Sequence, residues 1–274
     1  MPTLRVNGVT LAYTDTGAPE DRPDAPTVLF GHGLLFGGWM FRHQIDALRR
    51  RYRCVALDWR GQGETPATRD GYDMDSLTAD TAALVEELGT GPVHYAGLSM
   101  GGFVGLRLAA RRGELLRSLT LLDTSADEEE PDEARRHRLL AAIYRAAGIS
   151  PVRSRVLPLM FGPAFLASPA SGPLIEEWTR RLSRLDRAAV RRAVLAVAAR
   201  KPVRAELAAV SVPTLVVVGA DDAATPPFRA ERIAAGVAGA RLEVVPDAGH
   251  SSTLEQPEAV TALLTEFLAS VDPG

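Results

Sequence analysis

The chain has 274 residues, a formal net charge of −3, 46% hydrophobic and 24% charged side chains. Those proportions belong to a globular protein long enough to bury a large core, and they give no electrostatic basis for a nucleic-acid or anionic-membrane partner. Cys54 is the only cysteine, so an intrachain disulfide is excluded, and its apolar setting in YRCVALD predicts a buried structural thiol. The opening MPTLRVNGVT lacks the basic-then-apolar pattern of a signal peptide, and no apolar run nears the ~20 residues of a membrane span. A soluble cytoplasmic protein is expected.

The first predicted elements are two short strands, LRV and VTLAYTDTG, joined by Asn7-Gly8, a strong hairpin signal. After a Pro/Asp-rich loop, Thr27 to Phe30 reads as a buried parallel strand ending in Gly31-His32-Gly33. A helix is expected in WMFRHQIDALRRR, then a buried strand over Tyr52 to Asp58 and the polar loop WRGQGETP. Asp75 is expected to cap the helix SLTADTAALVEEL, in which Leu77, Leu84, Val85 and Leu88 recur at helical spacing and Gly89 is the terminator. VHYAGLS is the next strand, and MGGFVGLRLAARR a helix that starts without a loop. Further strands are predicted at Arg117 to Asp123, Val212 to Gly219 and Arg241 to Asp247. A helix lies around Phe228 to Val237, and PEAVTALLTEFLAS closes the chain as another.

This alternation predicts an α/β fold: a mostly parallel sheet with an N-terminal antiparallel hairpin and helices on both faces. One stretch breaks the rhythm. Residues 126–206 open on the acidic run Asp127 to Glu130, hold no convincing strand, and give several helical segments separated by prolines. A structureless loop of that length is implausible, so an inserted helical cap is expected at 126–206, with 1–125 and 207–274 forming the core.

Gly97-Leu98-Ser99-Met100-Gly101 is a G-x-S-x-G sequence set between a predicted strand and a predicted helix. A nucleophile on so sharp a turn holds a strained backbone, and the two glycines remove side chains that would clash. The helix that begins there aims N–H groups at negative charge, which makes the Met100 N–H an oxyanion donor. A serine hydroxyl needs a base within hydrogen-bond reach. Downstream of Ser99 only His137 and His250 exist. His137 sits in the charged helix start EARRHRLL and reads as a solvated surface residue, whereas His250 lies on the loop PDAGHSS after a strand. The acid that orients the base is Asp221 or Asp222 at a strand's C-terminal end, with Asp123 as a third candidate. The loop after the Thr27 strand supplies a second oxyanion donor, the Leu34 N–H. His32 reads as a loop-stabilising hydrogen bonder, His43 as a helix-surface residue and His94 as a satisfied core histidine.

Taken together these residues resemble the α/β-hydrolase superfamily over nearly the whole chain outside the cap. The matching motifs are His32-Gly33, Asp58-Trp59-Arg60-Gly61-Gln62-Gly63-Glu64-Thr65, Gly97 to Gly101, Gly219-x-x-Asp222-x-x-Thr225-Pro226, and Gly249-His250 followed by LEQPEAV. Thr65 replaces the more usual serine of its motif. The resemblance implies a triad of Ser99, His250 and Asp222, because the family's acid falls three residues after the glycine, here Gly219. The core is similar to small esterases and lactonases of the 3-oxoadipate enol-lactonase type and to cofactor-free haloperoxidases.

The expected activity is cleavage of a small hydrophobic ester or lactone through an acyl-enzyme, with no cofactor and no metal. Carbon–carbon bond hydrolysis and perhydrolysis use the same triad, and a non-catalytic binding protein on the same scaffold also fits the sequence. A dinucleotide site is disfavoured: Gly31-x-Gly33 follows a strand and Asp58 ends the next, but Phe36 stands where a third glycine belongs. No HExxH or Cys/His cluster suggests a metal. Candidate pocket residues are Leu35, Phe36 and Trp39 on the oxyanion loop and Met160, Phe161 and Trp178 in the cap. Cap arginines such as Arg135, Arg136, Arg138, Arg180, Arg181, Arg184, Arg191 and Arg192 read as solvated helix faces. One turned inward would bind a substrate carboxylate, as an anionic lactone requires.

Overall fold

A computed structural model describes residues 1–169 and 171–272. Strands β1 (Thr3–Val6) and β2 (Val9–Asp15) form the N-terminal hairpin, and Asn7 and Gly8 both take the positive φ that its tight turn requires, 45° and 77°. The remaining strands are β3 (Thr27–Gly31), β4 (Arg53–Leu57), β5 (Val93–Leu98), β6 (Leu116–Leu122), β7 (Thr214–Gly219) and β8 (Arg241–Val245). They make one sheet in the order β1-β2-β4-β3-β5-β6-β7-β8, parallel from β4 onward and antiparallel at the hairpin.

The helices of the sheet region are α1 (Arg42–Leu48), α2 (Met74–Leu88) and α3 (Met100–Arg111). Between β6 and β7 come five more: α4 (Pro131–Ala147), α5 (Arg153–Met160), α6 (Pro163–Ala167), α7 (Ser171–Arg184) and α8 (Arg187–Ala198). The chain then adds α9 (Pro227–Gly236), the short α10 (Ser252–Glu255) and α11 (Pro257–Val271).

The central strands read as unbroken apolar runs because both of their faces are covered. Val28, Phe30, Cys54 and Ala56 point into the layer with Ile45 of α1 and Leu264 of α11. Leu29, Val55 and Leu57, one residue out of phase, point into the opposite layer with Leu77 of α2, Val104 of α3 and Ile233 of α9. Cys54 is fully buried, and burial pushes its thiol pKa up to about 12, so it stays protonated and unreactive.

The start of α2 differs from expectation. Asp73, not Asp75, caps it: its carboxylate accepts from the Ser76 N–H at 2.9 Å, a contact of a kind worth about 1 kcal/mol. The helix begins two residues earlier than its apolar pattern suggests because Met74 is itself buried. Asp75 instead lies in the first turn and pairs with Arg107 and Arg111 of α3. Gly89 ends the helix at φ 63°.

The five-helix insertion sits on the ends of the strands through aromatic contacts. Phe36 meets Phe161 and Trp178 with ring centroids 6.2 Å apart, and Phe161 meets Trp178 edge-on at 6.1 Å. Polar contacts add to these: the Gly162 N–H donates to Glu255 at 2.8 Å and the Ser251 hydroxyl to the Met160 carbonyl at 2.7 Å. No helix among the described residues is long and apolar enough to cross a membrane.

Candidate active site

Ser99 stands alone between β5 and α3, with φ 52° and ψ −112°. A non-glycine residue in that conformation is strained and persists only where its surroundings over-determine it. Here the Ser99 N–H donates to the Leu122 carbonyl at 2.9 Å, and its own carbonyl accepts from the Thr124 hydroxyl at 2.8 Å and the Phe103 N–H at 2.9 Å. The flanking glycines are a packing necessity. A Cβ at Gly101 would run into the Gly31 carbonyl of β3, and one at Gly97 into the Gly101 carbonyl.

His250 follows β8 and precedes α10, and its Nε2 lies 2.9 Å from the Ser99 hydroxyl. Its Nδ1 lies 3.0 and 2.9 Å from the two carboxylate oxygens of Asp222, which follows β7. A carboxylate only accepts, so Nδ1 carries the proton and Nε2 is free to accept from Ser99. Asp222 is held by three further donors: the N–H groups of Ala224 and Thr225 at 2.8 and 2.9 Å, and the Thr225 hydroxyl at 2.7 Å. Burial alone would lower the His250 pKa, but the Asp222 charge and hydrogen bond outweigh it and raise the pKa above the ordinary imidazole value.

The structure separates the three acids. Asp221 is exposed, and Asp123 is fully buried at the end of β6, where it accepts from the Gly219 N–H at 2.8 Å and is hydrogen-bonded to Ser252. Burial, followed by repulsion from Asp222, lifts the Asp123 pKa well above the ordinary carboxyl range. A proton bound in the folded state and lost on unfolding makes stability fall as pH rises above the unfolded value of about 3.9, so the cost is present at neutral pH. Asp123→Asn keeps an acceptor for Gly219 and a partner for Ser252. It is expected to raise Tm at pH 7 by a few degrees, an advantage that narrows on acidification. Calorimetric melts across pH check this, and a variant less stable at every pH contradicts it.

The loop between β3 and α1 carries Leu34, and α3 begins at Met100. Among the described residues no protein acceptor claims the N–H of either. The loop is fixed by Asp58 and Gln62, to which the sequence motif assigned no role, and by His32, a hydrogen bonder as expected. Gln62 accepts from the Leu35 N–H at 2.8 Å, and Asp58 from the N–H groups of Gly38 and Glu64 at 2.7 and 2.8 Å. His32 donates from Nδ1 to the Gly33 carbonyl at 2.7 Å and accepts the Trp59 N–H at Nε2, 3.1 Å away. His94 is buried between Ser118 and Asp272, and His43 is exposed.

Ser99 and His250 open into a cavity of about 110 Å³. Leu34, Leu35, Phe103 and Thr225 line it from the sheet region, and the insertion supplies Tyr144, Val156, Met160 and Val190 among others. Of the six predicted pocket residues, Leu35 and Met160 line this cavity, while Phe36 and Trp39 face a second cleft beside Leu35. Phe161 and Trp178 line neither: both are at most 1% exposed, spent on packing the insertion against Phe36. None of the eight cap arginines named above lines the cavity, but Arg200 does, with Glu129 and His137. His137 thus differs from its expected surface role. Its ring is 23% exposed because α4 places it on the face shared by Leu140, Ala141 and Tyr144. No cluster of His, Cys, Asp and Glu among the described residues is arranged to hold a metal ion.

The sequence profile of the alpha/beta hydrolase fold matches residues 26–257. The chain belongs to the α/β-hydrolase family. Among its relatives, BpoC of Mycobacterium tuberculosis, a candidate non-heme bromoperoxidase, is 32% identical over 96% of this chain and 99% of its own. The 3-oxoadipate enol-lactonase 2 of Acinetobacter baylyi is 28% identical over 97% of each chain. Among solved structures, a thermophilic esterase from Thermogutta terrifontis superposes with a TM-score of 0.87 at 31% identity, covering 98% of this chain and 97% of that one. The hydrolase family and its esterase and lactonase relatives therefore agree with the resemblance read from the motifs.

Proposed function

We propose that the protein is a serine hydrolase that cleaves a small hydrophobic carboxylic ester or lactone through a covalent acyl-enzyme. The observation that carries this reading is the unbroken hydrogen-bonded line from the Ser99 hydroxyl through His250 to Asp222, opening into an apolar cavity. Ser99 attacks the substrate carbonyl as His250 takes its proton, and Asp222 holds the imidazole in the accepting tautomer and stabilises the imidazolium. The N–H groups of Leu34 and Met100 receive the oxyanion, a contribution of ~3 kcal/mol for a single donor in comparable sites. Protonated His250 then passes its proton to the leaving alkoxide, and water removes the acyl group by the same route. Residues 126–206 act as the cap that sets substrate range, and 1–125 with 207–274 as the catalytic core.

Turnover of a panel of short-chain p-nitrophenyl esters and lactones tests the reading. Because His250 must be neutral to act as base, kcat/KM is expected to rise with pH, with its midpoint above the ordinary imidazole value of about 6.5. Absence of turnover across the panel, or a flat profile through neutral pH, contradicts it. Hydrogen peroxide belongs in the same assay as an alternative acceptor, since the bromoperoxidase relative points to perhydrolysis by the same groups.

A further inference from the structure

The cavity beside Ser99 is apolar over most of its wall, yet one side of it is built from ionisable groups. Glu129, just before α4, and Arg200, just after α8, are 6% and 2% exposed at their side chains and meet at 2.6 Å. The Arg200 guanidinium lies 4.3 Å from the ring of Phe103, one helical turn beyond Ser99, so the pair borders the space where an acyl chain on Ser99 would extend. Arg200 donates from Nε to the Asp127 carbonyl and from Nη1 to Glu129 and the Val197 carbonyl. Among the described residues its Nη2 has no acceptor. His137 flanks the same Glu129 oxygen at 3.8 Å, beyond hydrogen-bond reach, and its ring has no other polar partner among those residues. Donor and acceptor capacity thus stands unused on the wall of an apolar cavity, where an unpaired polar group is costly.

The charges decide what it can take. Arg200 and Glu129 cancel, and burial lowers the His137 pKa, which keeps the imidazole neutral at pH 7. Around them Glu133 meets both Arg136 and Glu129, and Asp127 faces Arg204, Arg229 and Arg232, three arginines that do not line the cavity. A carboxylate brought to this wall would meet Glu129 and find on the wall no positive charge beyond that of Arg200, which Glu129 already offsets. A hydroxyl can donate to His137 and accept from Arg200.

We propose that Glu129, His137 and Arg200 form a subsite for a hydroxyl group carried on the substrate chain. The enzyme then prefers neutral hydroxyacyl esters or lactones and discriminates against anionic ones. This rests on the hydrolase reading of Ser99 and on the same cavity.

The test compares p-nitrophenyl alkanoates, from butanoyl to octanoyl, with their terminal-hydroxy and terminal-carboxylate counterparts. At the best chain length the hydroxy ester is expected to exceed the plain ester in kcat/KM by about 5- to 10-fold, and the carboxylate ester to fall at least about 10-fold below it. Glu129→Gln leaves Arg200 uncompensated and is expected to raise the carboxylate-to-hydroxy ratio about 10-fold. His137→Leu is expected to bring hydroxy and plain esters to equality. Thermal melts establish that each variant is folded. A wild type that accepts carboxylate and hydroxy esters equally, or variants that leave both ratios unmoved, overturns the subsite. If no ester in the series is hydrolysed, the hydrolase reading fails instead. The subsite is then read by calorimetric binding of the matching terminal-hydroxy and terminal-carboxylate methyl ketones, equal affinity for the two overturning it.

Discussion

Ser99→Ala is expected to lower kcat/KM for any ester substrate by at least about 10³-fold while leaving the fold intact. The size follows from chemistry rather than packing. Among the described residues lining the cavity, the Ser99 hydroxyl is the one hydrogen-bonded to Nε2 of the base His250, at 2.9 Å. Removing one oxygen from a residue 7% exposed leaves the strained turn with all its backbone bonds, to Leu122, Thr124 and Phe103. Circular dichroism and melting should therefore match the wild type. A variant retaining more than about a tenth of wild-type turnover would move the nucleophile elsewhere.

Asp222→Asn is expected to cost about 10³- to 10⁴-fold, through the wrong tautomer rather than lost structure. One Asp222 oxygen accepts the N–H groups of Ala224 and Thr225, so the asparagine carbonyl will occupy that place. The amide NH₂ then faces Thr225 and His250, donates to Nδ1, and drives the imidazole proton onto Nε2. An Nε2–H cannot accept from Ser99. The same substitution removes the charge that lifts the His250 pKa, so the residual activity should have its acid limb at lower pH than wild type. Asp221→Asn, changing an exposed loop residue, should stay within about 2-fold. Steady-state pH profiles of the three proteins measure both effects, and a larger loss at Asp221 or Asp123 than at Asp222 contradicts the assignment.

Much of the site is local in sequence, and that part was legible. The turn at Ser99 needs glycine on either side because α3 crosses β3 at backbone distance, so the chemistry leaves a five-residue trace. Asp222 and His250 each sit just past a strand that the apolar runs reveal, and the parallel sheet brings those ends together. The polar wall of the cavity left no such trace. Glu129 and Arg200 are 71 residues apart, and only the packing of α4 against α8 makes them partners. His137 was nearer to legibility: its spacing to Leu140, Ala141 and Tyr144 puts it on one helix face, a signal masked by the charged residues around it. Phe161 and Trp178 show the opposite limit, since composition cannot tell an aromatic that lines a cavity from one that seals the seam behind it. The cap of α2 slipped by two residues because Asp73 and Asp75 are equally good caps in isolation, and the burial of Met74 decides between them.

The most direct test of the account is intact-protein and peptide mass spectrometry of enzyme quenched in acid during turnover of a p-nitrophenyl ester. The account predicts an added acyl mass on the peptide that carries Ser99, lost in Ser99→Ala and accumulating in a variant slowed in deacylation. Turnover with no acyl adduct on Ser99, together with failure of a serine-reactive phosphonate to label that residue, would contradict it.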